Sequence, residues 1–599
     1  MRTIRLIAAT AAMVTATALT GVPSGADAAY SVRTLHFAVT VGLDAQRCDI
    51  VGDLYTPAGA SAANRMPAVL TTNGFGGSKD DQAGIGAWLA GTQGYAVLSY
   101  SGLGFGGSGC KITLDDPDWD GVAASQLVSF LGGRDGIAFT DAAHTQPVAG
   151  LDFVARDATD HAGVARPDDP RVGMVGGSYG GGVQFAAASV DKRIDTLIPL
   201  ITWNDLSYSL SPNNTAQTGV TSSSPGAAKI TWAVLFFTEG ALLENVMRPP
   251  NDLNRLVGCP NFPDVVCPGL LASGIQGFLT PGVTALTRHA SVASYVQKVT
   301  VPVLLAQGQH DTLFNLNEAA ATYRALKAQG TPVQMIWHSW GHSGGRVPGE
   351  FDAGAPDPAA QYETGRFLTW LNRYLKDAAV DTGPDFAYFR PWMPYTGNAA
   401  PAYASAPAFP VGAATPLYLS GDGTLVSQPA AVRSGSQTMT TTVAGLPTSF
   451  GAVDAIGMPG VFPDANLPGT YVQWTTPSLA EGINVAGSPE LTVRFTSPTA
   501  WLSAPLGPIG HPVVFAKVYD VAPDGHQTLI NNLVAPVRVT DVGKPVKVTM
   551  PAFVHRFEPG HRVRLVIAGG DLNHRGAIVP IPLTVSGGAD QVISFPRVP

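Results

Sequence analysis

Charge is scarce in this chain. Of its 599 residues 13% are charged, and 44 acidic residues outnumber 36 basic ones, giving a net charge of −8 and a pI near 5.8. Nucleic acid and anionic membrane surfaces need basic patches, so neither is expected as a partner. Long apolar runs are missing beyond the N-terminus. The greasiest internal stretch, Ile230–Thr238, lies between Lys229 and Glu239 and is too short to span a bilayer. Cysteine is rare, with four residues, no C-x-x-C pair and no neighbouring histidine. That removes the usual zinc spacings, and neither a metal nor an organic cofactor is expected. No lysine follows a glycine cluster in G-x-x-x-x-G-K-[ST] spacing, which excludes a P-loop. No internal repeat is evident.

Glycine (68) and proline (48) are frequent on a 45% apolar background. That suits an ordered, loop-rich, β-rich chain, because disorder needs low hydrophobicity and high charge. The length suggests two to four domains. Arg2 and Arg5 precede the apolar run Leu6 to Leu19, and Ala26-Asp27-Ala28 follows. A charged start, a short apolar core and an A-x-A site make residues 1–28 a secretory signal peptide. In a secreted protein four cysteines read as two disulfides, and the expected pairing is Cys48–Cys110 and Cys259–Cys267, although spacing does not prove connectivity.

From 30 to about 380, short apolar segments alternate with helical stretches. Pro67–Thr72, Tyr95–Tyr100, Arg171–Val175, Val301–Ala306 and Val333–Trp337 read as strands apolar on both faces. This predicts a parallel sheet covered by helices, with chemistry at the carboxyl ends of the strands. The rhythm stops between 201 and 298, an aromatic-rich stretch expected to be a helical cap. Its Trp203, Tyr208, Trp232 and Phe236 are candidate substrate contacts, although such aromatics more often fill a cap's own core. Residues 381–415 are rich in Pro and Ala and read as a connector. From 416 to 599 apolar residues alternate strictly, as in Leu491, Val493 and Phe495 or Val563, Leu565 and Ile567. That predicts an antiparallel sandwich of jelly-roll type.

One motif carries chemistry. Gly176-Gly177-Ser178-Tyr179-Gly180 is a G-x-S-x-G between a short strand and the small-residue helix that starts near Gly181. Strand, sharp turn and helix are what a nucleophile elbow requires, with the helix N-terminus aimed at developing negative charge. A G-x-G-x-x-G also occurs at Gly102–Gly107, but an acidic loop follows it instead of a helix, so dinucleotide binding is not supported. A serine nucleophile needs a base and an orienting acid, which in this architecture follow in the order Ser, acid, His. Asp311 lies just beyond the strand Val301–Ala306, and His342 lies in a glycine-flanked loop beyond Val333–Trp337. His310 is adjacent to Asp311 and points away from it, while His338 continues its strand and reads as a packing residue. The oxyanion donors are expected to be the backbone N–H of Tyr179 and one near Gly74-Phe75.

GGSYGGG around Ser178, GQHDTLFNLNEA around Asp311 and WGHSGG around His342 resemble the X-Pro dipeptidyl-peptidase and cocaine-esterase-like serine hydrolases. Phe515–Gly525 and Phe557–Ala568 are similar to that family's C-terminal domain. The resemblance implies an α/β-hydrolase domain, a helical cap and a jelly roll that helps wall the active site. Members of the family use a tyrosine hydroxyl from the loop after the third strand as an oxyanion donor. Counted from Pro67 the matching position is Phe75, so a backbone donor is expected instead.

The resemblance implies X-Pro dipeptidyl-peptidase-like cleavage of short peptides, with hydrolysis of small acyl esters as the alternative. Phe75 favours the alternative. A dipeptidyl peptidase must hold a substrate ammonium, for which Asp205, Glu239 and Glu244 are candidates, each reading first as a solvated helix charge. A third reading is an inert secreted protein whose jelly roll binds carbohydrate or cell wall.

Overall fold

The computed structural model describes residues 29–247, 252–442 and 466–599; the expected signal peptide lies outside them. Twelve strands form one sheet: β1 (Tyr30–Val41), β2 (Gln46–Pro57), β3 (Ala68–Thr72), β4 (Ala96–Tyr100), β5 (Ala138–Phe139), β6 (Pro147–Val148), β7 (Val172–Gly177), β8 (Ile194–Leu200), β9 (Val303–Gly308), β10 (Val333–His338), β11 (Phe386–Phe389) and β12 (Tyr403–Ala406). Their order is β12-β11-β10-β9-β8-β7-β3-β4-β2-β1-β5-β6. The centre, from β11 to β4, is parallel. Every residue of β3, β4, β9 and β10 is buried, which is why these segments are mostly apolar. Successive side chains alternate between faces. Leu70, Met174 and Leu305 pack in one core, and Val69, Val175 and Leu304 in the other.

The flanks depart from the parallel expectation. β1 and β2 form a long antiparallel hairpin, and β2 runs antiparallel to β4. The connector expected over 381–415 is corrected, because it supplies β11 and β12, which extend the sheet at its far edge. An edge strand tolerates flanking prolines, and Phe386 is anchored by edge-on contact with Trp337 at 5.0 Å.

Helices α1 (Ala83–Thr92), α2 (Val122–Leu131) and α3 (Tyr179–Val190) follow strands of the sheet. Between β8 and β9 the chain leaves the sheet to form a mostly helical segment, including α4 (Ile230–Phe237), α5 (Val266–Gln276) and α6 (Pro281–His289). Two further helices, α7 (Leu316–Ala328) and α8 (Tyr362–Leu375), follow β9 and β10. Cys48–Cys110 ties β2 to the loop after β4, and Cys259–Cys267 closes a turn of the inserted segment, both as expected. Among the described residues no single helix is long and apolar enough to cross a membrane.

Among the described residues the strands of the C-terminal part pair antiparallel, in a seven-stranded, a five-stranded and a two-stranded sheet. Leu491 and Val493 from the first and Trp474 and Leu565 from the second meet in a shared core, as the period-two pattern required. This domain docks on α7, where Asn317 Nδ2 donates to Met550 O and its Oδ1 accepts from Ala552 N. It docks also on the inserted segment, where Arg538 donates to Pro225 O and Gly226 O.

Candidate active site

β7 ends at Gly177 and α3 begins at Tyr179. Ser178 between them has φ 57° and ψ −120°, a conformation that L residues avoid and a strained elbow needs. The neighbouring glycines supply clearance. A β-carbon on Gly180 would lie 2.6 Å from Thr72 O, and one on Gly176 would lie 2.8 Å from Gly180 O. The missing side chain at Gly180 lets β3 pass against the first turn of α3, and the one at Gly176 lets that turn fold back onto β7.

The three polar residues singled out in the sequence converge. His342 Nε2 lies 2.9 Å from Ser178 Oγ, and its Nδ1 lies 2.6 Å from Asp311 Oδ2. Asp311 is fully buried, and its Oδ1 accepts from Leu313 N at 3.0 Å and Phe314 N at 2.7 Å. Those bonds fix the carboxylate, and the rings of Phe314 and Trp232 stand edge-on to the imidazole at 5.1 and 6.1 Å. The other two histidines serve elsewhere. His338 is buried, pairs through Nδ1 with Glu363 and stacks on Trp340, while His310 Nδ1 faces Ser339 O. Lys229, which the sequence reading passed over, buries its ammonium against Thr312 O at 2.7 Å and Leu313 O at 2.9 Å. Burial pulls it down to about 8, against the opposing pull of Glu318 and Asp311.

Tyr179 is the first residue of α3, so its N–H has no acceptor within the helix. Across the site, the loop after β3 passes close to Ser178; a β-carbon on Gly74 would sit 3.9 Å from Ser178 Cβ. The Gly74 carbonyl accepts from Asn73 Nδ2 at 2.7 Å and Gly77 N at 3.1 Å. Asn73 is fully buried, and its Oδ1 accepts from Gly102 N at 2.9 Å. Because the peptide unit is planar and trans, holding that carbonyl turns the Phe75 N–H to the opposite side. Asn73 was missed in the sequence; the available signal was a lone amide at the carboxyl end of an apolar strand. The Phe75 ring packs against Phe105, Tyr179, Phe236 and Phe262.

Above Ser178 lies a cavity of about 120 Å³. Phe75, Tyr179, Trp203, Phe236 and Phe314 line it together with Leu and Val residues of α5 and α6. Its other polar contributors are the hydroxyls of Ser178, Ser273 and Thr287, and among the described residues no charged side chain reaches it. Of the four aromatic candidates, Trp203 and Phe236 line the cavity. Trp232 stands behind, between Phe236 and His342. Tyr208 is not a wall residue; its hydroxyl bonds Asn214 and Asn315, and it packs with Val220 and Ala321. Among the described residues, all that line the cavity fall between Phe75 and Phe314, and those of the C-terminal domain brace the cap without walling it.

The three acidic candidates are not solvated charges. Asp205 is buried and caps the helix Leu206–Leu210, accepting from Ser207 N at 2.9 Å and Tyr208 N at 3.3 Å. Glu244 is buried, accepts from Gly106 N and faces Arg255 at 3.9 Å. Glu239 lies against Gly76, and burial with help from Glu244 raises it to about 7. None of the three lines the cavity.

A serine on a strained strand-to-helix turn, at the carboxyl end of a central strand of the parallel sheet and under a cap, defines an α/β-hydrolase fold, and the comparisons make the chain a serine hydrolase. The family model described as X-Pro dipeptidyl-peptidase (S15 family) matches residues 48–226 and 279–344. That of the X-Pro dipeptidyl-peptidase C-terminal non-catalytic domain matches 397–580. The chain belongs to the X-Pro dipeptidyl-peptidase and cocaine-esterase-like family. No curated protein matches by sequence. Among solved structures it is similar to an aminopeptidase from a marine sediment Thaumarchaeota archaeon, at 15% identity and TM-score 0.62, covering 98% of this chain and 99% of that one. An α-amino acid ester hydrolase gives 16% identity and TM-score 0.62, covering 98% and 100%. A CocE/NonD family hydrolase from Staphylococcus aureus gives 13% and 0.59, covering 94% of each.

Proposed function

We propose that this protein is an exported serine hydrolase that cleaves esters with neutral, apolar acyl groups. The observation that carries the substrate class is the cavity above Ser178, apolar throughout apart from hydroxyls. An ammonium brought into it would lose hydration and meet no carboxylate of the described residues, at a cost of several kcal/mol. An X-Pro dipeptidyl peptidase must hold such an ammonium, whereas a neutral acyl chain gains from burial. Two disulfides among the described residues support export.

In this reading Ser178 Oγ attacks the ester carbonyl carbon while His342 Nε2 accepts its proton. Asp311 holds the Nδ1–H tautomer and stabilises the imidazolium. The tetrahedral oxyanion accepts from the Tyr179 and Phe75 N–H groups, preorganised in a site poor in water. Collapse expels the alcohol, which takes the proton from His342. A water molecule then repeats the attack on the acyl-enzyme and releases the acid. Turnover of p-nitrophenyl acyl esters beside an X-Pro p-nitroanilide tests the class: ester cleavage alone supports it, and comparable efficiency on the anilide overturns it.

A further inference from the structure

Tyr179 contributes more than a backbone N–H. Its side chain is buried. The hydroxyl accepts from Asp115 N at 3.2 Å and donates to Asp120 Oδ2 at 3.2 Å. Asp120 is itself buried, and its Oδ2 also accepts from Thr113 Oγ1. It sits in the helical turn Pro117–Gly121, which presses on α3; a β-carbon on Gly121 would lie 2.8 Å from Ala186 O. On another side the Asp115 carboxylate abuts the helix, where a β-carbon on Gly182 would lie 2.3 Å from Asp115 Oδ2. The Tyr179 ring meets Phe105 edge-on at 5.0 Å and Phe75 at 6.2 Å, so it also spaces the two sides of the site.

A phenylalanine would fill this space without burying a hydroxyl and a carboxylate. Burying a carboxyl group costs several kcal/mol unless donors converge on it, as they do here. We propose that Asp120 is a positioning residue of the oxyanion hole, fixing through the Tyr179 hydroxyl the direction of the Tyr179 N–H. The inference rests on the reading of that N–H as an oxyanion donor. Burial raises Asp120 to about 7 and holds neighbouring Asp115 well above the usual carboxylate range, so the anchor draws on a proton-rich buried pair.

The test is Tyr179→Phe, which keeps the backbone and the ring. Loss of a whole oxyanion donor costs about 10²- to 10³-fold in kcat; a misaimed donor keeps part of its effect, so a fall of about 10- to 50-fold is expected, with KM changed by less than about threefold. Asp120→Ala gives a similar fall, and adding it to Tyr179→Phe costs nothing further, because both remove one link. Asp120→Asn is the conservative control: it retains an acceptor for the hydroxyl and keeps most of the wild-type rate, and if Asp120→Ala fails to fold, the contrast between Tyr179→Phe and Asp120→Asn carries the test. The second-order rate of Ser178 labelling by a fluorophosphonate reads the same oxyanion hole without assuming the acyl class. Labelling slowed in parallel supports the positioning role even where ester turnover is absent, and absent ester turnover counts only against the substrate reading. Wild-type kcat and labelling rate in Tyr179→Phe, or losses that multiply in the double variant, refute the proposal.

Discussion

Placing an α-ammonium on the acyl group is the perturbation to which this site should be most sensitive. The cavity over Ser178 offers hydroxyls and hydrocarbon; of the nearby acids Asp205 caps a helix, Glu244 accepts from Gly106 N, and Glu239, against Gly76, does not line the cavity. Even a half-desolvated ammonium loses about 3 kcal/mol without a partner, which is about a hundredfold in kcat/KM. The assay compares p-nitrophenyl propionate with the p-nitrophenyl ester of alanine, which differ by that one group. An α-amino group titrates near pH 8. The penalty should therefore be largest near pH 6 and shrink as the amine loses its proton above pH 8. An aminoacyl ester hydrolysed at pH 6 as efficiently as the propionyl ester would mean that a carboxylate does reach the acyl pocket, and the substrate assignment would fail.

Ala233 of α4 faces the same cavity, so Ala233→Phe should shorten it. Wild-type kcat/KM should rise about fourfold per methylene from acetate upward, from about 0.8 kcal/mol each; the variant should lose about tenfold on octanoate while acetate stays within about twofold. Asp311→Asn should lower kcat about 10⁴-fold with little change in KM, since the amide favours the wrong imidazole tautomer; a loss below tenfold would remove Asp311 from its role. Asp120 has a folded pKa raised to about 7. The native state therefore keeps a proton that the unfolded chain releases from about pH 4, and this stabilisation is lost as pH rises through about 7. Between pH 5 and pH 8 the stability of Asp120→Asn relative to wild type should improve by about 3 kcal/mol, measured by denaturant unfolding at both pH values. No change in that difference would show that Asp120 ionises normally.

Much of the site could be read from sequence because its signals are local. Gly176 to Gly180 encode a close approach between strand and helix, and the structure uses the missing side chains in that way. Asp311 and His342 each follow an apolar strand, and parallel sheets place such loops together. Other features depend on contacts distant in sequence. Residues 386–389 and 403–406 looked like connector because proline dominates their surroundings, yet buried Phe386 and Phe389 settle them on the sheet edge. The cap acids looked like solvated charges because no local pattern reveals that Asp205 caps a helix or that Glu244 meets Arg255. Tyr208 and Trp203 are equally aromatic, and only the packing of the cap sends one to a polar cluster and the other to the cavity. Asn73 and Lys229 act by holding carbonyls of the two loops that frame the site, a role that composition does not announce.

Fluorophosphonate labelling followed by peptide mass mapping tests most directly whether Ser178 is the activated nucleophile. One adduct per chain is expected on the peptide carrying Ser178, abolished in Ser178→Ala and strongly slowed in His342→Ala. An unlabelled wild-type protein, or a Ser178→Ala variant labelled equally well, would contradict that assignment.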